Sequence, residues 1–425
     1  MAAAKAAVAA PPTPVQCSSE AAHDLQEFFE VLPPGEVVGW LGGDGDVSVV
    51  IGGGRTGRRA LWMFADTLMS KFDRAREARW FRGVKMPHST VAIVDIDEDH
   101  HCAPPQFIWR RDPCSGEAVS FFDLPPEEAT EFLAWPVAAI ASRDGASVLV
   151  LAQRIVRGSC MEVAGTTFLA MTDVASQDDP LQWKYTPYDV GSPELTWFSS
   201  IFFSSPADHT DDTVYILGHG PAPGGGPPSP CSDTVLAKAS LADLLAGDWS
   251  RTEFWVEPGA WASKPEALRP LGLPSWETTC TWSDALGLWY SFNIPPCGSE
   301  VFLYTAAEVT GVWTKLKVFE IPPRFLGKSM IAYAAKAHPE LEGLRRATDK
   351  VSSSMPLGQL TRCCESCRCS GEGEETELVF TYVCNSLEDP FTEPGGGILF
   401  GDGAMCLERR IYWPRFVRVW ARRRP

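Results

Sequence analysis

The sequence predicts an all-β fold, and two observations lead to that expectation. From Pro33 onward, short apolar or alternating runs recur between clusters of Gly, Pro, Asp and Ser, and long helical patterns are almost absent. Roughly twenty short strands would leave many sheet edges exposed, and β proteins avoid this by closing the sheet or by repeating small sheets around an axis. The strands group into about five modules, each long enough for four strands. We therefore expect a five-bladed β-propeller with an N-terminal helix and two inserted surface loops.

Three segments outside the propeller are expected from their composition. Residues 1–17 are rich in alanine and proline, which indicates a disordered leader. Residues 18–37 are expected to form a helix and a linker, because apolar residues such as Leu25 and Phe29 recur at helical spacing. The arginines of residues 421–425 indicate a solvated basic tail to which we assign no function.

The propeller itself is expected over residues 38–420, with inserts near 218–233 and 341–375. The first insert contains a Gly-Gly-Gly-Pro-Pro segment, which is typical of a surface loop. No short motif repeats from module to module, so the number of blades follows from the spacing of the strands alone. The five modules lie near residues 40–110, 130–180, 195–260, 275–322 and 328–420.

The charge of the chain restricts its partners. There are 37 basic and 54 acidic residues, and the net charge of −17 repels phosphate backbones and anionic lipids. No run approaches the roughly 20 apolar residues that span a bilayer, and the N-terminus lacks the apolar core of a secretory signal. Thirteen cysteines, an odd number, indicate reduced thiols. We expect a soluble monomeric protein of the cytoplasm or an organelle, with no cofactor, no nucleic acid and no membrane as partner.

The most informative segment is a predicted hairpin near residue 50. Two strand-like runs flank the Gly-rich connection that starts at Gly52, and the glycines allow the chain reversal. If the strands pair antiparallel, Asp46 and Asp66 reach the same end of the hairpin, within one or two residue pairs. The pKa values of such neighbouring carboxyls are pushed apart, as a general acid and a base or nucleophile require. The alternative is that both are strand-end aspartates bonded to local amides.

Three more polar residues lie at predicted strand starts. His88 and Ser89 precede one apolar strand, where they either face the central cavity or cap a turn. Glu277 precedes another strand and is a third acidic candidate.

Aromatic and basic side chains add further candidates. The chain contains 16 tryptophans, and most of those in strands are expected to pack between blades. Trp197 and Trp276 are the candidates for stacking on a sugar ring at the channel mouth. Arg415 lies within an apolar strand, where it either forms a buried structural ion pair or clamps a substrate.

Four thiols lie within seven residues at Cys363, Cys364, Cys367 and Cys369. This density is typical of metal binding, but a second Cys/His pair of suitable spacing is missing, and free thiols in an inserted loop are the favoured interpretation. The sequence also lacks a phosphate-binding Gly-Lys-Ser/Thr loop, a Gly-x-Ser-x-Gly elbow and a His-Glu-x-x-His pair. We therefore expect no metal site, and exclude phosphoryl transfer, serine hydrolysis and zincin chemistry.

Five motifs together resemble the family called domain of unknown function 4185, whose members are five-bladed propellers similar to furanosidase-type, arabinan-degrading glycoside hydrolases. The resemblance covers residues 38–420 apart from the two inserts, and departs from the family pattern at Ala65, at Ser89 and in the Cys-rich insert. The motifs are Asp46 with Leu61–Thr67, Pro87–Thr90, Trp276–Thr278, Tyr382–Ser386 and Tyr412–Phe416.

The resemblance implies roles for individual residues. It makes Asp46 and Asp66 the catalytic pair at the propeller centre, and Glu277 an alternative acid or an acceptor for a sugar hydroxyl. It also implies that His88, Asn385 and Arg415 position the substrate. Ser89, Trp197 and Trp276 remain substrate-binding candidates from their places in the predicted strands. The function expected on this basis is hydrolysis of a furanose-containing or related glycan by paired carboxylates. The alternative is a propeller that binds carbohydrate or protein without catalysis.

Overall fold

The computed structural model describes the greater part of the propeller. The described residues are 15–33, 37–53, 57–73, 78–79, 85–97, 101–159, 162–190, 196–206, 208–220, 233–274, 277–295, 298–322, 330–342, 345–346, 375–386, 390–392, 398–400 and 412–423. All four cysteines of the Cys-rich insert, Trp276, residues 221–232 and most of 341–375 lie outside these ranges.

Five antiparallel sheets form the blades, as the strand pattern predicted. Blade 1 contains Val47–Gly52, Arg58–Phe64, Thr90–Asp95 and Gln106–Ile108. Blade 2 contains Phe132–Ala141, Val148–Val156, Val163–Met171 and Tyr185–Asp189. Blade 3 contains Thr196–Phe203, Thr213–His219, Thr234–Ser240, Glu253–Val256 and Ala260–Ala262. Blade 4 contains Thr279–Ser283, Leu288–Asn293, Glu300–Ala306 and Thr314–Glu320. Blade 5 contains Met330–Ala337, Thr376–Ser386, Arg415–Arg423 and Val15–Ala21.

The strand named first in each blade is its inner strand, and the inner strands line a central channel. Within the described residues, short strand pairs, two short helices and two 3-10 turns accompany the blades. The pairs are Gly39–Gly43 with Thr67–Ser70, Phe72–Asp73 with Ala78–Arg79, His101–Cys102 with Arg345–Arg346, Arg110–Arg111 with Ala118–Val119, and Pro390–Thr392 with Ile398–Phe400. The helices are His23–Phe29 and Leu241–Leu245, and the 3-10 turns are Pro180–Gln182 and Pro339–Leu341.

The N-terminal strand closes the ring. Val15–Ala21 pairs along its whole length with Arg415–Arg423 and forms the outermost strand of blade 5. These two strands therefore lie side by side in one sheet, and the edge of Arg415–Arg423 that would otherwise be exposed is paired. Residues 15–17 of the expected leader and 421–423 of the expected tail are strand residues instead, while residues 1–14, 424 and 425 lie outside the described ranges. The reason is that each segment gains its strand conformation from pairing with the other, which local composition does not report.

The N-terminal helix spans His23–Phe29, within the segment of residues 18–37 expected to contain a helix and a linker. Leu25 and Phe29 are buried, as their spacing predicted. The Arg418 guanidinium in the last strand binds the carboxylate of Asp24 in this helix, at 2.5 and 2.7 Å, and that of Glu377 at 2.9 Å. The helix is thus fixed to the sheet that closes the ring.

Apolar side chains fill the space between successive blades. Within the described residues, one buried cluster lies at each of the five junctions, from blades 1 and 2 round to blades 5 and 1. Trp62 and Trp289, both buried, belong to two of these clusters, which agrees with the packing role expected for most strand tryptophans. The ring therefore holds the inner strands in fixed relative positions. Within the described part of the chain, no helix is both long and apolar enough to cross a membrane.

Candidate functional site

Carboxylates gather at one end of the central channel because of the hairpin in blade 1. Val47 pairs with Met63 at the end of the hairpin. Beyond this pair, the backbone N–H of Asp44 donates to the carbonyl of Asp66 over 3.2 Å. Asp46 and Asp66 therefore lie at the same end of the hairpin, as the register predicted. The structure adds Asp44, which the sequence analysis missed, although the Asp-Gly-Asp sequence of residues 44–46 was a visible signal.

Asp44 is held by two tyrosines from blade 5. The Tyr333 hydroxyl donates to Oδ2 of Asp44 over 2.8 Å, and Tyr412 also hydrogen-bonds to this carboxylate. The other oxygen, Oδ1, is buried and has no hydrogen-bond partner among the described residues. Burial, then the negative charges of Asp66 and Glu277, raise the pKa of Asp44 well above its usual range, and the two tyrosine hydrogen bonds oppose that rise.

Asp66 is paired with His88. The Nδ1 atom of His88 lies 2.8 Å from Oδ1 of Asp66, and both side chains are partly exposed. His88 is fixed by its backbone N–H, which donates to Oγ of Ser120. Ser89, by contrast, is fully buried and bonds to the backbone of Phe122, so its hydroxyl supports a loop. The two alternatives for this segment were facing the central cavity and capping a turn. His88 contacts the carboxylate of Asp66 at the channel end, and Ser89 stabilises the turn.

Glu277 comes from the opposite part of the ring, at the start of blade 4. Its Oε2 atom is buried and has no hydrogen-bond partner among the described residues. Burial raises the pKa of Glu277, and the nearby Lys336 ammonium group opposes this rise. Glu277 and Asp44 interact electrostatically, so carboxylates from blades 1 and 4 share one site.

Asp46 and Lys336 lie below these groups, fully enclosed. Asp46 has no exposed surface, and neither of its oxygens has a hydrogen-bond partner among the described residues. Burial and the charge of Asp44 raise its pKa well above the usual range, and Lys336 opposes the rise. The Lys336 Nζ atom donates to the carbonyl of Val137 over 3.0 Å. The sequence analysis did not select Lys336.

Unusual backbone conformations occur at the same place. Asp46, Glu277, Ala334 and Tyr412 are non-glycine residues with positive φ angles of 43°, 33°, 54° and 60°. Such conformations cost on the order of 1–3 kcal/mol each and persist only where the surrounding structure imposes them. Their concentration around the carboxylates indicates a site whose side-chain directions are maintained against local preference.

The remaining candidates differ in their relation to the site. Asn385 hydrogen-bonds to Tyr333 and so reaches the cluster indirectly. Arg415 is buried at 8% exposure, near Cys384. Trp197 lies in the inner strand of blade 3, and its side chain, like Trp276 and the four clustered cysteines, lies outside what the structure describes. Within the described residues, no group of His, Cys, Asp or Glu is arranged to hold a metal ion.

A cavity of about 620 Å³ follows the channel away from the acidic cluster. Asp46 and Lys336 line one end, and Arg143, Asp144 and Asp284 line the other. The cavity is large enough for many water molecules, since a water occupies about 30 Å³ in the liquid. Asp46 and Lys336 thus contact a space that extends toward the opposite face of the propeller.

Comparison with solved structures identifies the same architecture. A protein from Bacteroides ovatus, named "putative hydrolase", aligns over 95% of this chain and 90% of its own with a TM-score of 0.61 at 13% identity, which shows a shared fold. More distant matches are a GH43_1 enzyme from Xanthomonas citri in complex with xylotriose (TM-score 0.40, 10% identity, 90% and 89% covered) and a β-1,2-mannobiose phosphorylase from Listeria innocua (TM-score 0.39, 11% identity, 92% of both chains covered).

Comparison of sequences gives the family. No curated protein matches this chain. A family model, domain of unknown function 5005, matches residues 31–345, which include blades 1 to 4 and the inner strand of blade 5. The matching model is not that of family 4185, which the motifs resemble. The chain belongs to the family of domain of unknown function 5005.

Proposed function

We propose that this protein is a glycoside hydrolase that uses carboxylates at the channel mouth to cleave a furanose-containing or related glycan. The observation that carries the proposal is the convergence of Asp44 and Asp66 from blade 1 with Glu277 from blade 4. Glycosidases need one carboxyl that donates a proton and one carboxylate that acts as base or nucleophile, on two sides of the scissile bond. The origin of Asp44 and Glu277 on different blades supports the proposal, because the two carboxyls enter the site from different parts of the ring.

Glu277 is the proton donor in this proposal. Its pKa is raised by burial, so Glu277 keeps its proton to a higher pH than a solvated glutamate does, as a general acid requires. Burial raises the pKa of Glu277, and burial together with the charges of Asp66 and Glu277 raises that of Asp44. The proposal needs one of these two carboxyls protonated and the other ionised, and the tyrosine hydrogen bonds favour the ionised form at Asp44.

Asp44 is the base or nucleophile. Hydrogen bonds from Tyr333 and Tyr412 stabilise its charged form and fix its direction, as a base or nucleophile requires. The Asp66–His88 pair stands beside it, where it is suited to bind sugar hydroxyls. This proposal replaces Asp46 of the expected pair by Asp44, since Asp46 has no exposed surface.

The test uses arabinans, galactans, xylans and the corresponding nitrophenyl glycosides. We expect Asp44→Asn to lose turnover on all substrates. Glu277→Gln should lose turnover on polysaccharides and retain much more on nitrophenyl glycosides, whose leaving group needs no proton. Glu308→Gln, on an exposed loop of blade 4, is the control and should behave as wild type.

Two results would contradict the proposal. Wild-type protein that binds glycans of this panel without cleaving any of them would favour the carbohydrate-binding propeller. Equal turnover by wild type and by Asp44→Asn would place the chemistry on other residues.

A further inference from the structure

A β-bulge in the inner strand of blade 5 brings two side chains to the same site. Tyr333 pairs with Val383 and Lys336 pairs with Thr381, so one strand contains one residue more than the other. Ala334, within this irregularity, has a φ angle of 54°. Residues three apart in a regular strand point to opposite faces, and one extra residue places them on the same face. Tyr333 thereby reaches Asp44, and Lys336 enters the space beneath it.

Lys336 is enclosed and anchored. Its exposure is 1%, and its ammonium group donates to the carbonyl of Val137 in the inner strand of blade 2. Burial lowers the pKa of Lys336 to about 8, although the negative charges of Glu277 and Asp46 favour its charged form. Near neutral pH, Lys336 is therefore largely a buried cation in fixed position.

The titratable groups around Lys336 come from three blades. Blade 1 contributes Asp46 and blade 4 contributes Glu277. In blade 5, His338 and Glu340 follow directly after the strand that contains Lys336. The His338 ring is hydrogen-bonded to the hydroxyls of Ser48 and Thr381. The inner strands of blades 2 and 3 contain no charged residue in their sequences, FLAWPVAAIA and TWFSSIFF.

Asp46 is the reason that a cation is needed in this position. A carboxyl group without exposure and without hydrogen bonds to described residues can carry a negative charge only if an opposite charge lies near. Lys336 supplies that charge to Asp46 and to Glu277. One ammonium group is thus shared by a fully buried carboxylate and by the group that we assign as proton donor.

We propose that Lys336 is a positioning residue whose ammonium group, held by the Val137 carbonyl beneath the site, makes Glu277 a stronger proton donor. The inference rests on the proposed function for the role of Glu277. Without Lys336, burial acts on Glu277 unopposed, and the carboxyl holds its proton more tightly. A weaker acid transfers its proton less readily to the leaving oxygen.

The experiment measures the titration of Glu277 directly, so that it does not depend on hydrolysis. Protein labelled with ¹³C at the glutamate carboxyls is titrated by NMR, and the resonance of Glu277 is identified by its loss in Glu277→Gln. We expect Lys336→Met to raise the midpoint by about one pH unit, which is at the low end of the effect of an opposite charge at short range. Lys336→Arg should keep the wild-type midpoint.

Two further variants separate charge from stability. Lys336→Gln removes the charge and can still donate to Val137, so it should show the same rise even if Lys336→Met fails to fold. Val301→Ala, a buried apolar residue of blade 4, should lower stability without moving the midpoint.

The kinetic readout follows the same direction. With a cleaved glycan, the alkaline limb of kcat/KM should move upward in Lys336→Gln by the same amount, because that limb follows loss of the proton from the donor. An unchanged or lowered Glu277 midpoint in both Lys336→Met and Lys336→Gln would overturn the inference. A raised midpoint in a protein that cleaves no glycan would support the charge interaction and overturn the hydrolase assignment.

Discussion

The hydroxyl of Tyr333 donates a hydrogen bond to Oδ2 of Asp44 over 2.8 Å and so links the inner strand of blade 5 to the segment that precedes blade 1. The two residues are 289 positions apart, and they meet because the N-terminal strand completes blade 5 and closes the ring. The contact between blades 5 and 1 that accompanies closure of the propeller therefore also orients Asp44, the candidate base. A change at Tyr333 is expected to affect the site more than the fold.

Tyr333→Phe removes this donor and leaves the ring in place. The charged form of Asp44 loses a hydrogen bond, so its pKa should rise further and the acidic limb of the pH–rate profile should move to higher pH. A hydrogen bond to a charged group contributes about 1.5–3 kcal/mol, and we expect kcat to fall about tenfold or more. Tyr188→Phe, whose hydroxyl bonds to Leu244 far from the carboxylates, is the control. A profile identical to wild type would contradict a role for Asp44 as base or nucleophile.

His88→Ala should reduce activity with little effect on folding. The Nδ1 atom of His88 contacts Asp66 at 2.8 Å, and the imidazole is 28% exposed, so its loss leaves no large cavity. We expect kcat/KM to fall about tenfold on a cleaved glycan, because Asp66 loses the contact that orients it. The melting temperature should change little in the same samples. His209→Ala, on an exposed turn, serves as the comparison, and equal kinetics for both variants would exclude the Asp66–His88 pair from the site.

The sequence predicted those parts of the fold that depend on local pattern. Alternating apolar residues and Gly-rich reversals indicated the blades, and the hairpin register placed Asp46 and Asp66 at one end. Val15–Ala21 was not recognised as a strand because its residues are partly exposed and mostly polar or small. Its conformation depends on Arg415–Arg423, at the other end of the chain.

The candidate site was only half predictable for a related reason. Tyr333 and Lys336 share a face because of a bulge, and no local pattern indicates where a strand acquires an extra residue. Asp44 lies before the first inner strand, next to a glycine, where an aspartate is most often a turn residue. Side chains that meet through ring closure leave no periodic signal in the sequence.

Phe29→Ala should destabilise the closed ring. The Phe29 ring is fully buried, with its centroid 4.6 Å from that of Trp62 in blade 1 and 4.7 Å from that of Phe416 in blade 5. Truncation of a buried phenylalanine costs about 3–5 kcal/mol, because a cavity remains. Unfolding by urea, followed by tryptophan fluorescence, should show a clearly lower midpoint. Val31→Ala, nearby and 38% exposed, should keep the wild-type midpoint, and a similar small shift for both would show that the helix does not support the ring.

Glu342 should make stability depend on pH. The Tyr290 hydroxyl donates to its Oε1 atom over 2.9 Å, yet burial, together with the charges of Glu340 and Glu377, raises the pKa of Glu342 to about 8. Since the folded protein holds this proton more tightly than the unfolded chain, the contribution to stability is full at low pH. It is lost as the pH rises from about 4.5 through about 8. Glu342→Gln keeps an acceptor for Tyr290 and removes the titration.

The free energy of unfolding, measured by urea at several pH values across that range, should therefore fall more steeply for wild type than for Glu342→Gln. Glu308→Gln, which removes an exposed carboxylate, should follow the wild-type slope. Because other buried carboxyls with raised pKa values add to the slope in all three proteins, only the difference between the variants reports on Glu342. Parallel slopes for wild type and Glu342→Gln would mean that Glu342 is ionised in the folded protein throughout this range.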